Sequence, residues 1–185
     1  MKKLNRNGFT LIELLAVITI MGILMIVAIP AISRTIENSR RDMFADTAKQ
    51  YINSVKTMWK SDSLVCQIAA GTGPFIPPSE IMASTTSATV SVFINSKLTD
   101  GDSYPILLES GGKSSWANKD VTGIVSITVS GQGDNRKAEF LIKLSDGIHG
   151  ISESTKFSDI KRSSVSTSGV GEINTTPTAM YCKEA

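Results

Sequence analysis

The chain has 185 residues, a formal net charge of +2, and 41% hydrophobic and 19% charged residues, with a mean hydropathy of +0.05. That length fits one globular domain with an appendage. The near-neutral charge argues against a general nucleic-acid binder, which would be basic, and the apolar content excludes a disordered chain.

The apolar residues are unevenly spread. Nineteen of the 24 residues 9–32 are hydrophobic, which leaves about 35% in the remainder, an ordinary value for a polar, water-soluble domain. The first eight residues carry Lys2, Lys3 and Arg6 and no acid, and beyond Glu13 no charge appears until Arg34. Twenty-four helical residues rise about 36 Å, enough to cross a bilayer core. A cleaved secretory signal would have an apolar core of about 7–15 residues followed by a small-residue cleavage site. Here the run is longer and ends in Pro30, Ala31 and Ile32, which favours a membrane anchor. The cations before the run predict a cytoplasmic N-terminus and an exported head. Three residues interrupt a plain anchor. Glu13 lies inside the apolar run, where a charge costs about 2.5–3.5 kcal/mol and needs a partner. Gly22 and Pro30 weaken a helix interior. Without any function, Glu13 would sit near enough to the surface to stay wet, and membrane helices tolerate Gly and Pro.

The string Asn7-Gly8-Phe9-Thr10-Leu11-Ile12-Glu13-Leu14-Leu15 resembles the class III signal of type IV pilins and pseudopilins. The resemblance is strong over roughly residues 1–35 and architectural beyond them. It implies that a prepilin peptidase cuts between Gly8 and Phe9 and methylates the new amine of Phe9. It matches Glu13 to the glutamate needed for assembly, and Gly22 and Pro30 to the helix-weakening positions of the family. Cleavage would place an amine four residues before Glu13, and residues four apart share a helix face. The carboxylate could then pair with its own amine or with a neighbour's, since opposite charges attract strongly in a low dielectric. In the family the partner is a neighbour, which sets the stagger of the helices. The implied partners are other pilin subunits, the prepilin peptidase, a platform protein and an assembly ATPase, with the cytoplasmic membrane as host before assembly. No cofactor is implied.

Beyond the apolar run, Ile36, Phe44, Ala48, Tyr51, Ile52, Val55 and Trp59 recur at three- and four-residue steps. This is one face of a helix that should end near residues 61–63, with a kink at Pro30. Residues 71–79 are rich in Gly and Pro and break structure. Residues 64–103 are expected to form a loop between helix and sheet, with 88–94 either a strand or a short helix. Residues 104–109 read as a strand, confined to an edge by Pro105. The clearest β signal is the alternation of Val125, Ile127 and Val129 with polar residues, then Ala138, Phe140, Ile142 and Leu144 after a turn at 131–135. That pattern predicts an antiparallel hairpin with one buried face. Asp146-Gly147 is a second turn, and residues 148–151 return as a short strand. The fold class is α+β. Together with the resemblance this implies a pilin fold, a long N-terminal helix, half membrane-spanning and half amphipathic, packed on a small antiparallel sheet. The expected organisation is a leader at 1–8, a spanning or filament-core helix at 9–32, and its amphipathic half at 33–63. A head at 64–185 follows, made of the loop 64–103, the sheet 104–151 and an irregular region 152–185.

Cys66 and Cys182 both fall on the side predicted to be exported, where a disulfide is favoured; the alternative is two unpaired thiols. A bridge between them departs from the C-terminal loop closed by many Gram-negative pilins. Ser145, Asp146 and His149 are close in sequence, but a catalytic triad is defined by spatial geometry, and neighbours on a turn need not converge. Metal binding by Cys66, Cys182 and His149 lacks ligand-pair spacing. Gly71-x-Gly73 and Gly169-x-Gly171 lack the Gly, Lys and helix signals of a phosphate loop. Asn174-Thr175-Thr176 fits the N-glycosylation sequon. No convergent ionisable groups support an enzyme. The expected function is therefore a structural pilus subunit serving adhesion, motility or DNA uptake. The alternatives are a pseudopilin of a secretion or competence system and, more distantly, an anchored extracellular binding module that does not polymerise.

Overall fold

The computed structural model describes residues 9–67, 73–84, 86–95, 121–168, 171, 173 and 180–185. One helix, α1 (Leu11–Lys60), begins the described chain. The chain divides into two compact units, residues 1–39 and 40–185, and each is treated separately.

In the first unit, α1 exposes its apolar side chains all round, from Leu11 at 84% to Ile32 at 57%. A helix that is apolar on every side has no water-facing stripe, which suits a membrane or a filament core. Its few polar groups fold back on themselves. Thr19 Oγ1 donates to the carbonyls of Leu15 and Ala16, and Ser33 Oγ to that of Ile29.

In the second unit, the remainder of α1 buries Phe44, Ala45, Ala48, Tyr51, Ile52, Val55 and Trp59. This is the predicted face with Ala45 added and Ile36 missing, since Ile36 is 48% exposed. The helix ends in a Schellman turn. Ser63 N–H donates to Met58 O (3.0 Å), and Asp62 takes the left-handed position at φ 51°, which Asp tolerates better than most side chains. The stop agrees with the expected end at 61–63.

The helix packs on a six-stranded sheet. Its strands are β1 (Leu64–Cys66), β2 (Ala88–Asn95), β3 (Thr122–Ser130), β4 (Lys137–Ser145), β5 (Gly150–Lys156) and β6 (Tyr181–Glu184), in the order β1-β6-β2-β3-β4-β5. A short helix, α2 (Pro78–Ala83), lies between β1 and β2. The predicted hairpin is β3–β4, with Val125 opposite Ile142 and Ile127 opposite Phe140. Val90, Val92 and Ile94 of β2 and Val125, Ile127 and Val129 of β3 are fully buried toward the helix. Each such side chain contributes about 1.5–3 kcal/mol by leaving water.

The sheet differs from expectation in its extent. Residues 64–103, read as a loop, contribute both β1 and β2, and 88–94 is a strand. The return strand read at 148–151 runs from Gly150 to Lys156. The C-terminal stretch, read as irregular, supplies β6, which lies between β1 and β2. It is antiparallel to β1 and parallel to β2, so the sheet is mixed. The strand expected at 104–109 lies outside the described residues.

Candidate functional site

Thr10 is the last residue before α1, and Glu13 is the third residue within it. The pair forms a reciprocal cap. Glu13 N–H donates to Thr10 Oγ1 (3.3 Å), while Thr10 N–H and Thr10 Oγ1–H both donate to Glu13 Oε2 (2.8 Å each). Leu14 N–H donates to Thr10 O (3.2 Å), the first turn of the helix. The carboxylate also sits at the positive end of the helix dipole, where negative charge is favoured. Phe9 stands just outside the cap and is 89% exposed. Gly8 lies outside the described residues.

Sequence reasoning singled out Glu13 for its charge and missed Thr10, although Thr-x-x-Glu before an apolar run is itself a readable cap signature. Gly22 occupies open space: a Cβ added there meets nothing within 4 Å. Pro30 lies inside the helix and removes one backbone donor.

The other singled-out residues have structural employment. Cys66 and Cys182 form a disulfide across 116 residues, with Cα atoms 3.9 Å apart. They face each other in the β1–β6 register. The flanking pairs carry the backbone bonds, Gln67 N–H to Tyr181 O and Ala185 N–H to Ser63 O. The cysteines thus occupy a non-hydrogen-bonded pair, where opposed side chains are closest. The bridge occupies both sulfurs, which overrides metal ligation by these thiols.

Ser145, Asp146 and His149 do come together, as a closed turn. Asp146 Oδ1 accepts Ile148 N–H (2.8 Å) and His149 N–H (2.6 Å), and Ser145 Oγ accepts Gly147 N–H (3.0 Å). Gly147 has φ 82°, which a residue without Cβ adopts at little cost. His149 Nδ1 lies 3.7 Å from Asp146 Oδ2. All three residues are buried, so Ser145 offers no hydroxyl to solvent. Asn174, Thr175, Thr176, Gly71 and Gly169 lie outside the described residues.

Residues 3–29 match the family model of the prokaryotic N-terminal methylation motif, the class III signal of type IV pilins and pseudopilins. No curated protein and no solved structure matches the chain. The motif supports a pilin- or pseudopilin-like precursor and implies processing by a prepilin peptidase and assembly with other pilin subunits.

Proposed function

We propose that the chain is a structural subunit of a type IV pilus. The observation that carries the reading is the conjunction of the methylation motif at residues 3–29 with an apolar stretch, residues 9–32, whose one charge, Glu13, sits in the first turn of α1. In this reading residues 1–8 are the leader, cut off after Gly8, and Phe9 becomes the methylated terminus. Removal of Lys2, Lys3 and Arg6 leaves 16 basic and 17 acidic side chains, so the basic excess of the precursor is a topology signal. The subunit waits in the cytoplasmic membrane with its N-terminus inside and its head exported. A platform protein and an ATPase then move it into a filament that serves adhesion, motility or DNA uptake. Residues 9–32 form the filament core, 33–63 the amphipathic half of the helix, and 64–185 the surface head.

Lipid tails are as apolar as leucine, so the helices gain no ordinary hydrophobic driving force by leaving them. Association rests on packing and polar pairing, which gives Glu13 its weight. Its contacts with Thr10 all run through Oε2, and Oε1 is the atom for a neighbour's amine. Gly22 and Pro30 weaken backbone pairing within the core, which lets the helix yield as subunits pack.

Mass spectrometry of the processed protein tests the reading. It should give an N-methylated Phe9 terminus, and immunogold should decorate sheared surface filaments. An intact Met1 terminus in a strain with active prepilin peptidase would sink it. A methylated terminus without labelled filaments would move the assignment to a pseudopilin.

A further inference from the structure

Within the unit 40–185, the last turn of α1, the helix α2 and the start of β4 border an apolar recess. Its volume is about 380 Å³, and its walls include Trp59, Lys60, Pro78, Met82, Ala138 and Phe140. The Trp59 and Phe140 rings meet edge to face, with centroids 6.2 Å apart. A second recess of about 490 Å³ shares Lys60, Ala138 and Phe140 with the first and adds Lys56, Lys156 and Phe157. The two adjoin as one trough, apolar at one end and cationic at the other. The acids beside it are engaged. Glu139 is ion-paired with Lys156, which Asp159 also attracts, and Asp62 Oδ1 accepts Ser79 N–H (2.8 Å). Lys56 and Lys60 make no ion pair among the described residues. The half-buried Lys56 instead holds its ammonium over the rings of Phe157 (4.5 Å) and Phe140 (5.6 Å).

We propose that this trough is a binding site for a small organic acid, with an apolar ring or chain in the first recess and its carboxylate between Lys56 and Lys60. The volume is that of a ligand pocket, about 300–1,000 Å³. Lys56 and Lys60 stand four residues apart on one helix face, where like charges repel. An anion between them turns that repulsion into two attractions. The rings beneath Lys56 already hold its ammonium in place, so little side-chain freedom is lost when an acid binds. A purely polar anion would leave the apolar walls in water, and a neutral apolar ligand would leave the two cations facing each other. The trough thus asks for both properties in one molecule. The inference goes beyond the filament role and does not depend on it.

Methionine-methyl NMR on the full chain in nanodiscs, titrated with hydrocinnamate and with its neutral isostere hydrocinnamide, tests this. Met82 lies in the first recess, and Met43, about 24 Å before Trp59 along α1, is the remote control. The Met82 methyl should shift with the acid at a Kd of about 1 mM, the scale for a ligand of this size. The amide should bind about tenfold more weakly. Lys60→Gln should lower the acid to the affinity of the amide and leave the amide unchanged, and about 1 M salt should do the same. The Met180 methyl, packed against the core, should stay in place in the variant as a check on folding. Equal affinity of acid and amide in the unaltered chain overturns the site, as does a Met82 methyl unmoved by about 10 mM acid. Parallel shifts of Met82 and Met43 mean partition into the lipid and overturn it too. Tighter binding of acetyl-glycyl-phenylalanine, which carries the same ring and carboxylate on a chain end, assigns the trough to a partner polypeptide and overturns the free acid.

Discussion

Thr10 occupies one oxygen of Glu13, so the cap is distinct from the pairing proposed for the same carboxylate. Capping by Thr or Ser is worth about 1 kcal/mol, a local effect on the first turn. Pairing across a filament would be a long-range effect of the charge. Glu13→Ala should therefore leave membrane insertion and cleavage intact and abolish incorporation into filaments, read from sheared-filament yield against processed subunit in the membrane. Normal incorporation of that variant would falsify the assembly role. A second residue stands out in the core. Tyr51 is fully buried, and among the described residues its hydroxyl has no hydrogen-bond partner. An unpaired buried hydroxyl costs about 1–3 kcal/mol in desolvation, so Tyr51→Phe should be neutral or stabilising at pH 7. Burial also pushes the Tyr51 phenol from 10.0 up to about 12. A group with a raised folded value contributes its full stability below the unfolded value and loses it as pH rises toward the folded one. Wild type should thus lose about 3 kcal/mol relative to the Phe variant between pH 10 and 12, measured by denaturant unfolding at each pH. Equal slopes in the two proteins would remove Tyr51 as the cause.

The elements show why some strands announce themselves in sequence and others do not. β3 and β4 are nine residues each, long enough for alternation to repeat four times, and the turn at Gly131 (φ 100°) marks the boundary between them. β1 and β6 are three and four residues, too short to carry a period, and β6 finds its partners through contacts more than 80 residues away in the chain. Residues 88–94 read as either strand or helix because Phe93 breaks the alternation of Val90, Val92 and Ile94. Both faces of β2 are buried at that point, and a continuous apolar run fits helix as well as strand. At the candidate site, Glu13 is legible as a lone charge within an apolar run, while the part played by Thr10 follows from helix-end chemistry, which the membrane cost of the charge does not reveal. The cysteines were legible as a possible pair, but not as the clamp on β6. β1 pairs in the sheet with β6 alone, so the bridge holds the end of the helix region to the rest of the sheet through the last strand. Cys66→Ser with Cys182→Ser should destabilise the head by about 2–5 kcal/mol, seen as a lower thermal midpoint. Wild type treated with reductant should match it. A variant as stable as oxidised wild type would show that strand pairing holds β6 without the bridge.

The two compact units of the chain differ in what their surfaces suit: residues 9–32 are apolar all round, and the unit 40–185 has its own buried core. Residues 40–185 contain every fully buried apolar side chain among the described residues, with the disulfide and the sheet. Residues 9–32 contribute apolar surface and no burial. The average hydropathy of the chain conceals this division. If the core belongs to the head alone, the apolar segment is dispensable for folding and decisive for solubility. A chain beginning at Arg34 should fold, form Cys66–Cys182, and sediment as a monomer without detergent. The full chain should require detergent or lipid, because an exposed apolar surface of this extent drives association. Circular dichroism should give one cooperative transition for the short form, as two-state behaviour requires of a single domain of this size. Its midpoint should shift by no more than a few degrees from that of the head in the detergent-bound full chain. A short form that aggregates, or melts without cooperativity, would mean that the first part of α1 supports the head as well as anchoring it. The division of the chain between lipid and water would then have to be redrawn on the N-terminal side of Arg34.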